Sequence, residues 1–484
     1  MRRLRAQAEF LPSHGSYSLL PFKFHVLNEG REVLVSETGD FLIVPRGSAQ
    51  RIAERQVAPT ESLFQDLLAN HIVAISSPPP QLDVLAARYR ARKGYLDDFT
   101  SLHILVVTLR CNFSCHYCQV SRQTEDRTQF DMSEADIDAS LDLVFSSKSP
   151  DITLEFQGGE PLAAFDRVRY AVGGALSRNT LAKKRLRFVI CSNLTLLSDE
   201  MLEFCKHHAV RLSTSLDGPA ALHEANRPAR ARKDLNWLAE RIVRARDVLG
   251  DDQVAALMTT SRAALAQPEA IVDAYRALGF HRIFLRPIQP YGFAARLQES
   301  WRYSVADFLE FYRSTLTYIL RLNREGESFV EDYAAILMRR LYSPYPTGYV
   351  DLQSPTGMVT AVVVYNYDGG VYASDEARML AESGDTTFRL GHVSDGYRSL
   401  FYGERARDLV SVGTNEALAG CSDCGLQAYC GSDLIRNWRE SGDLYGHRPS
   451  SAFCELNMGI LELLFAVIDT DRDEAATLRR WALA

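Results

Sequence analysis

The chain has 484 residues, of which 46% are hydrophobic and 24% are charged, and its formal net charge is −7. These values are ordinary for a globular protein of about three domains, and a negative net charge disfavours non-specific binding to nucleic acid. The basic residues Arg2, Arg3 and Arg5 precede no apolar signal segment, and no apolar run approaches the roughly 18 residues of a membrane span. We therefore expect a cytoplasmic protein that binds neither membranes nor nucleic acid.

Residues 1–100 are predicted to form a separate α+β domain. Three short segments have the alternating or continuous apolar pattern of strands, namely Phe22–Leu27, Glu32–Ser36 and Asp40–Val44. Two helical segments follow, one around Leu67 and one near Leu82–Arg92. The three strands and their turn at Gly39 predict a small antiparallel sheet that is packed against helices.

Residues 101–300 alternate between strands and helices, which indicates a parallel sheet with right-handed crossovers. The predicted strands are Ile104–Thr108, Ile152–Phe156, Phe188–Cys191, Arg211–Ser215, Ala255–Thr259 and Arg282–Pro287. The fold class is therefore α/β, and an open, partial (βα)6 relative of the TIM barrel fits best. In such folds the chemistry lies at the carboxyl ends of the strands.

The remainder of the chain divides into two predicted parts. Residues 301–345 form a bridge of two amphipathic helices. Residues 346–484 begin with a hairpin, Met358–Asn366 and Val371–Ser374, around a turn at Gly369, and they end in a helix near Leu456–Ile468.

Seven of the nine cysteines fall into two groups, which are Cys111, Cys115 and Cys118, and Cys421, Cys424, Cys430 and Cys454. The clustering and the odd total argue against a disulfide framework and favour metal binding. The two isolated residues, Cys191 and Cys205, are predicted to be small buried hydrophobic residues.

The first cysteine group directly follows the first predicted strand of the barrel. Three thiolates on one loop can bind three irons of a [4Fe–4S] cluster and leave the fourth iron open for the amine and carboxylate of S-adenosylmethionine (SAM). A mononuclear zinc site requires a fourth protein ligand, and only His116 lies within the loop. We therefore predict a cluster that cleaves SAM to a 5′-deoxyadenosyl radical, with the cofactors carrying the difficult chemistry.

The second cysteine group offers four thiolates, which can saturate a [4Fe–4S] cluster or bind a structural zinc ion. The spacing of Cys421, Cys424, Cys430 and Cys454 does not distinguish these two alternatives.

Several segments at the ends of predicted strands resemble the radical SAM superfamily. They are Gln157-Gly-Gly-Glu-Pro-Leu162, Cys191-Ser-Asn193, Ser215-Leu-Asp-Gly-Pro219 and Leu257-Met-Thr259. The resemblance implies that SAM is contacted by Tyr117, Gly158, Gly159, Glu160, Asn193, Ser215, Arg227 and Met258. Individually, these residues are equally compatible with turn, surface or core positions.

The C-terminal part is similar to the SPASM/twitch domains of radical SAM peptide maturases. Full SPASM domains have seven cysteines and two auxiliary clusters, but here Ser354, Ser374 and Leu434 stand at three of the expected cysteine positions. The resemblance implies one auxiliary [4Fe–4S] cluster, held by the second cysteine group. It also implies that Asp375 faces the substrate as a proton acceptor, although a solvated or helix-capping role is equally compatible with the sequence.

Most of the chain from Pro21, including "EFQGGEPL" and "CSDCGLQAYCG", resembles the His-Xaa-Ser system radical SAM maturases of the HxsB type. That likeness implies a ribosomally synthesised precursor peptide as substrate, a second radical SAM protein as companion, and flavodoxin or ferredoxin as electron donor. Among crosslinking, epimerisation and oxidation, an oxidative crosslink is favoured because a second cluster can accept an electron.

The N-terminal domain resembles leader-peptide-binding modules, and a structural cap over the barrel is the alternative. Two rival functions remain open at this point. One is a radical SAM enzyme acting on a small molecule or nucleotide, and the other is a metal-stapled peptide-binding protein with an inactive SAM site.

Overall fold

The computed structural model describes residues 17–228, 236–296 and 301–483, so the basic residues Arg2, Arg3 and Arg5 lie outside the described part. Within that part, no helix combines the length and the apolar character that a membrane crossing requires.

The N-terminal region forms the small α+β unit that the sequence predicts. Its elements are β1 (Ser18–Leu19), β2 (Phe22–Val26), β3 (Arg31–Ser36), β4 (Phe41–Pro45), α1 (Ser48–Ala53), α2 (Ser62–Ala69), β5 (Val73–Ala74), α3 (Gln81–Arg92) and α4 (Tyr95–Asp98). Strands β2, β3 and β4 pair antiparallel, and β1 pairs with β5. Apolar residues of β4, α1 and α2, such as Val44, Ile52 and Phe64, form a core of their own.

The central region alternates strands and helices. Its elements are β6 (Leu102–Thr108), α5 (Arg127–Phe130), α6 (Glu134–Ser146), β7 (Asp151–Gly158), α7 (Phe165–Ala182), β8 (Arg185–Ser192), α8 (Asp199–His207), β9 (Val210–Ser215), α9 (Ala220–Asn226), α10 (Trp237–Leu249), β10 (Val254–Leu257), α11 (Pro268–Ala277) and β11 (Arg282–Ile283). Strands β6 to β10 pair parallel in chain order. Their carboxyl ends therefore meet at one edge, as the predicted α/β class requires.

The C-terminal region is mainly helical. Its elements are α12 (Val305–Arg324), β12 (Val330–Glu331), α13 (Asp332–Tyr342), β13 (Val362–Tyr365), β14 (Gly370–Tyr372), α14 (Asp375–Ala381), β15 (Arg389–His392), α15 (Tyr397–Tyr402), α16 (Glu404–Val412), α17 (Leu434–Ser441), α18 (Ala452–Thr470) and α19 (Arg472–Trp481). The predicted helical bridge corresponds to α12 and α13, and the predicted terminal helix corresponds to α18.

The sixth predicted strand, Arg282–Pro287, is shorter than expected. Only β11 is extended and paired, and its partner is β12 instead of a barrel strand. A single bridge from Thr260 to Pro287 continues the barrel at this edge. Proline lacks the N–H that a ladder needs, so Pro287 and Pro290 keep this bridge from continuing as a regular ladder.

The predicted hairpin extends the main sheet on its other side. Strand β13 pairs parallel with β6, and β14 and β15 follow antiparallel. Among the described residues the sheet therefore has the order β10-β9-β8-β7-β6-β13-β14-β15. Because β14 runs antiparallel to β13, the chain returns along the sheet before α14 begins at Asp375.

The N-terminal unit packs against the second cysteine group. Lys23 donates a hydrogen bond to Gln427 at 3.0 Å, and the Tyr429 hydroxyl donates to the Gly39 carbonyl at 2.9 Å. A Cβ atom at Gly425 would collide with the Phe24 carbonyl, so strand β2 and the cysteine loop lie in close contact. The unit therefore braces the loop that carries Cys421, Cys424 and Cys430.

Candidate functional site

The first cysteine group lines a cavity at the carboxyl ends of the barrel strands. Cys111, Cys115 and Cys118 are free thiols on the loop after β6, and the cavity has a volume of about 230 Å³. Burial raises the pKa of Cys111 to about 12 and that of Cys115 to about 11. Without a bound metal these thiols are therefore protonated, and a metal would displace their protons. The donor set fits a cluster with one open iron, because the three thiols share one cavity with room for a ligand.

Two glycines bring the end of β7 against this cysteine loop. Gly158 has φ +139°, and a Cβ atom there would collide with the Thr108 carbonyl. A Cβ atom at Gly159 would collide with the Arg110 carbonyl. Both glycines line the cavity. Glycine is thus required at both positions for a steric reason, since only glycine lets the two backbones approach so closely.

Glu160 ties together two strand ends behind the cavity wall. Its fully buried carboxylate accepts hydrogen bonds from the Leu162 N–H at 3.0 Å, the Ser192 hydroxyl at 2.7 Å and the Asn193 N–H at 2.7 Å. Burial raises its pKa to about 7 despite these donors. The Asn193 side chain in turn donates to Asn112 in the cysteine loop at 2.9 Å and lines the cavity. A direct contact between Glu160 and SAM stays a prediction.

Asp217 is a central residue of the site, although it was not among the residues predicted to contact SAM. Its fully buried carboxylate accepts from the Tyr117 hydroxyl, from Arg227 Nε at 3.1 Å and from Asn226 Nδ2 at 3.1 Å. Burial alone would raise the pKa of Asp217, but Arg227 and His223 together lower it. Asp217 is therefore an anion that fixes both Tyr117 and Arg227.

The Arg227 guanidinium also lies over the Tyr117 ring, 5.1 Å from its centroid. Both residues line the cavity beside Cys115. A positive charge and an aromatic ring are thus held rigidly next to the first cysteine group. A role of both residues in SAM binding stays a prediction.

The wall at β9 and β10 differs in one position from the prediction. Ser215 lines the cavity as expected, but Met258 is fully buried in the hydrophobic core and does not line it. Its neighbours Leu257 and Thr259 line the cavity instead. Consecutive residues of an extended segment point to opposite sides, so Met258 faces the core while its two neighbours face the cavity.

Cys191 corrects a second prediction. Cys205 is buried in the core as expected, whereas Cys191 lines the cavity, where its thiol donates to Glu155 Oε1 at 3.3 Å. Burial raises the pKa of Glu155, and the nearby charge of Asp375 acts in the same direction. Strand parity could have revealed this position, because Ile190 and Ser192 are buried on the opposite face of β8.

Asp375 lies at the cavity wall that the C-terminal region contributes. It begins α14, where the Ser374 hydroxyl oxygen accepts the capping hydrogen bond from the Ala377 N–H. Asp375 is held instead by an ion pair with Arg378 at 3.0 Å, and Arg378 donates to the Val120 carbonyl in the cysteine loop at 3.0 Å. The cavity is therefore closed by a carboxylate whose position is coupled to the loop.

The second cysteine group borders a smaller cavity of about 60 Å³. Arg448, which the sequence analysis did not single out, donates from Nη2 to Cys454 Sγ at 3.6 Å. Burial raises the pKa of Cys430 well above its usual range. Throughout residues 17–228, 236–296 and 301–483, no three Cys, His, Asp or Glu side chains converge tightly enough to hold a single metal ion. Four thiols around one enclosed space fit a four-ligand cluster.

The three positions at which cysteines are replaced have other structural roles. Ser354 donates to Glu416 and accepts from the Asn415 N–H at 3.0 Å. Ser374 caps α14, and Leu434 is fully buried in the core. Each replacement residue thus makes hydrogen bonds or packing contacts of its own within the fold, in agreement with a single auxiliary site.

The sequence comparisons identify the central region. The model of the radical SAM superfamily matches residues 105–261. An uncharacterized protein of Methanocaldococcus jannaschii is 29% identical over 115 residues, covering 24% of this chain and 38% of that protein. The serine-type anaerobic sulfatase-maturating enzyme of Klebsiella aerogenes is 26% identical over 226 residues, covering 43% of this chain and 52% of the enzyme. The chain therefore matches about half, or less, of the length of these curated relatives.

Solved structures share the fold over a larger part of the chain. Native anSMEcpe with bound AdoMet superposes with a TM-score of 0.62 at 16% identity, covering 78% of this chain and 99% of that one. Streptococcus suis SuiB bound to its precursor peptide SuiA gives a TM-score of 0.53 at 12% identity, covering 90% and 100%. Taken together with the cysteine loop and its cavity, the match over residues 105–261 identifies a radical SAM domain in the central region of the chain.

Proposed function

We propose that this chain is a radical SAM maturase that modifies a ribosomally synthesised peptide. The observation that carries the proposal is the composition of the catalytic cavity. The barrel contributes the cysteine loop and Arg227, and the C-terminal region contributes Asp375. SuiB binding its precursor peptide SuiA, and anSMEcpe binding the Cp18Cys peptide, support a peptide as the substrate of such a cavity.

In this proposal Cys111, Cys115 and Cys118 hold a [4Fe–4S] cluster, and SAM binds beside it. Together they supply a 5′-deoxyadenosyl radical. The protein binds and orients SAM. Arg227, fixed by Asp217, offers a cation for the SAM carboxylate, Tyr117 and Leu257 offer apolar surface, and Asn193 and Ser215 offer hydrogen bonds.

We further propose that Cys421, Cys424, Cys430 and Cys454 hold one auxiliary [4Fe–4S] cluster. The four thiols line one cavity, and Arg448 adds a positive charge and a hydrogen bond to Cys454. A structural zinc ion is the alternative occupant. Metal analysis of the purified protein distinguishes the two.

An oxidative crosslink is the proposed product. Removing two hydrogen atoms from a peptide gives one hydrogen atom to the radical, one proton to a base and one electron to an acceptor, for which the proposed auxiliary cluster is the candidate. Asp375 is the candidate proton acceptor, because its carboxylate lines the cavity and Arg378 keeps it in place. Epimerisation, and a small-molecule or nucleotide substrate, are the alternative outcomes of the experiment below.

The domain boundaries at residues 100, 300 and 345 are proposals as well. The contacts of Lys23 and Tyr429 favour a bracing role for the N-terminal unit. Its role as a leader-peptide platform stays a prediction, and so do the flavodoxin or ferredoxin donor and the second radical SAM partner.

The reconstituted, reduced protein tests the first step. It is expected to convert SAM to 5′-deoxyadenosine, whereas a triple Cys→Ala variant at positions 111, 115 and 118 is not. Equal amounts from the two proteins would contradict the proposal. Co-expression with the neighbouring small open reading frame tests the second step by mass spectrometry, where a loss of two hydrogens indicates a crosslink or desaturation and an unchanged mass contradicts both.

A further inference from the structure

A groove of about 370 Å³ lies between the barrel and the C-terminal region, outside the catalytic cavity. Its walls come from the segment after β11, the first turns of α12 and α18, and the exposed side of α17. Three arginines line it, Arg302, Arg436 and Arg439, with Glu440 as the single acidic residue among the described lining residues. We call this surface the arginine groove.

The arginines of this groove are incompletely paired. Among the described residues, neither Arg302 nor Arg439 has an ion pair with a carboxylate, and Arg436 pairs only with Asp433 at 3.4 Å. Arg436 is more than nine-tenths buried, and its Nε, the atom that lies 3.4 Å from Asp433, makes no hydrogen bond within the described part of the chain. A buried guanidinium with a free donor costs free energy unless a ligand supplies the acceptor.

The three cations also repel one another. Burial lowers the pKa of Arg439, and the positive charges of Arg302 and Arg436 act in the same direction, whereas Tyr291 and Glu440 act against it. A bound carboxylate would relieve both the repulsion and the missing hydrogen bond. The remaining walls are apolar and include Trp301, Phe308 and Leu456. The groove therefore combines a cationic end with a hydrophobic surface.

The groove leads toward the catalytic cavity. Pro287 lines the groove, and its neighbour Arg286 lines the cavity. A small space of about 50 Å³ is bordered by Arg286, Pro287 and Arg436. The groove and the cavity therefore adjoin at residues 286 and 287.

We propose that the arginine groove binds an acidic segment of the peptide substrate, with aspartate or glutamate side chains on the arginines and apolar neighbours against Trp301 and Phe308. This inference rests on the proposed function, because it assumes a peptide substrate. It adds the chemistry by which that peptide is recognised, namely carboxylates placed next to apolar side chains.

The test uses the reconstituted holoprotein and a fluorescein-labelled peptide of about twelve residues in which glutamate alternates with apolar residues. Fluorescence anisotropy should show that this probe binds at least about tenfold more tightly than a matched probe with glutamine in place of glutamate. Binding should weaken strongly between about 50 and 500 mM NaCl, because the charges are partly exposed.

The groove variant is Arg302→Glu/Arg439→Glu, and the matched control is Arg398→Glu/Arg407→Glu, which changes the net charge equally on exposed surfaces of α15 and α16. The groove variant should lose at least about tenfold in affinity for the acidic probe, and the control should stay within about twofold. The milder Arg439→Gln variant, with iron content and circular dichroism checked, should show an intermediate loss and separates binding from misfolding.

Equal binding of the glutamate and glutamine probes, or equal losses in the groove and control variants, would overturn the proposal. Cleavage of SAM by the wild-type protein is measured separately and without peptide. Its absence would contradict the proposed function, whereas probe binding reports on the groove alone.

Discussion

Replacing Asp217 by asparagine tests whether this buried anion acts by holding Arg227. The change keeps the size of the side chain but removes the charge that two Arg227 contacts, at 3.1 and 3.2 Å, depend on. It also turns an amide toward groups that are themselves donors. A charge-assisted hydrogen bond contributes about 1.5–3 kcal/mol, so we expect SAM to bind roughly 10- to 100-fold more weakly.

The assay is equilibrium binding of radiolabelled SAM to the reconstituted protein, arranged as a double-mutant cycle with Arg227→Met. If Asp217 acts through Arg227, the double variant should bind SAM about as weakly as the weaker single variant. Asp199→Asn is the matched control, since it removes the same charge from an exposed ion pair with Arg244 at 3.0 Å. It should leave the SAM affinity within about twofold. Losses that multiply across the cycle would refute the reasoning.

Three further predictions concern the metal sites and the buried acids. Reconstituted protein should contain about eight irons, and replacing either cysteine group by alanine should leave about four, whereas zinc in the second group contradicts the auxiliary cluster. Arg448→Met removes a positive charge beside the second cysteine group. The midpoint potential of the auxiliary cluster, followed by electron paramagnetic resonance, should therefore become more negative by about 60 mV or more. An unchanged potential would contradict the contact. Burial raises the pKa of Glu331 to about 7, so its protonated form stabilises the fold most below about pH 4.5 and this stability is lost as the pH rises to about 7. The thermal midpoint of Glu331→Gln should therefore fall less than that of the wild type between about pH 5.5 and 8, and parallel pH profiles would contradict the assignment.

The local patterns in the sequence carried most of the information about the fold. The strands of the barrel and the helices of the bridge lie close to their predicted positions, because each depends on a short periodic pattern. The pairing of β13 with β6 had no such signal. It joins residues about 260 positions apart, so it depends on how the finished domains pack rather than on either segment alone.

The same distinction holds for the site. The cysteine groups were evident from spacing alone, and the glycine pair at 158 and 159 was predicted from the resemblance to the superfamily. Asp217, Glu155 and Arg448 were missed, because their importance comes from burial next to residues on other elements. The prediction for Cys191 was wrong because it relied on the isolation of this residue in the sequence and not on the side of β8 from which the residue projects.

The replaced cysteines suggest how the catalytic cavity keeps its shape without a second auxiliary cluster. A cluster at those positions would cross-link the hairpin, the loop before it and α17. Here β13 is fixed by its ladder to β6, Ser354 is bonded to Glu416, and Leu434 is packed in the core. The remaining link is the contact of Arg378 with the Val120 carbonyl, which joins α14 to the cysteine loop. Since Arg378 also holds Asp375, the position of the proposed proton acceptor is determined by protein contacts and does not require a metal.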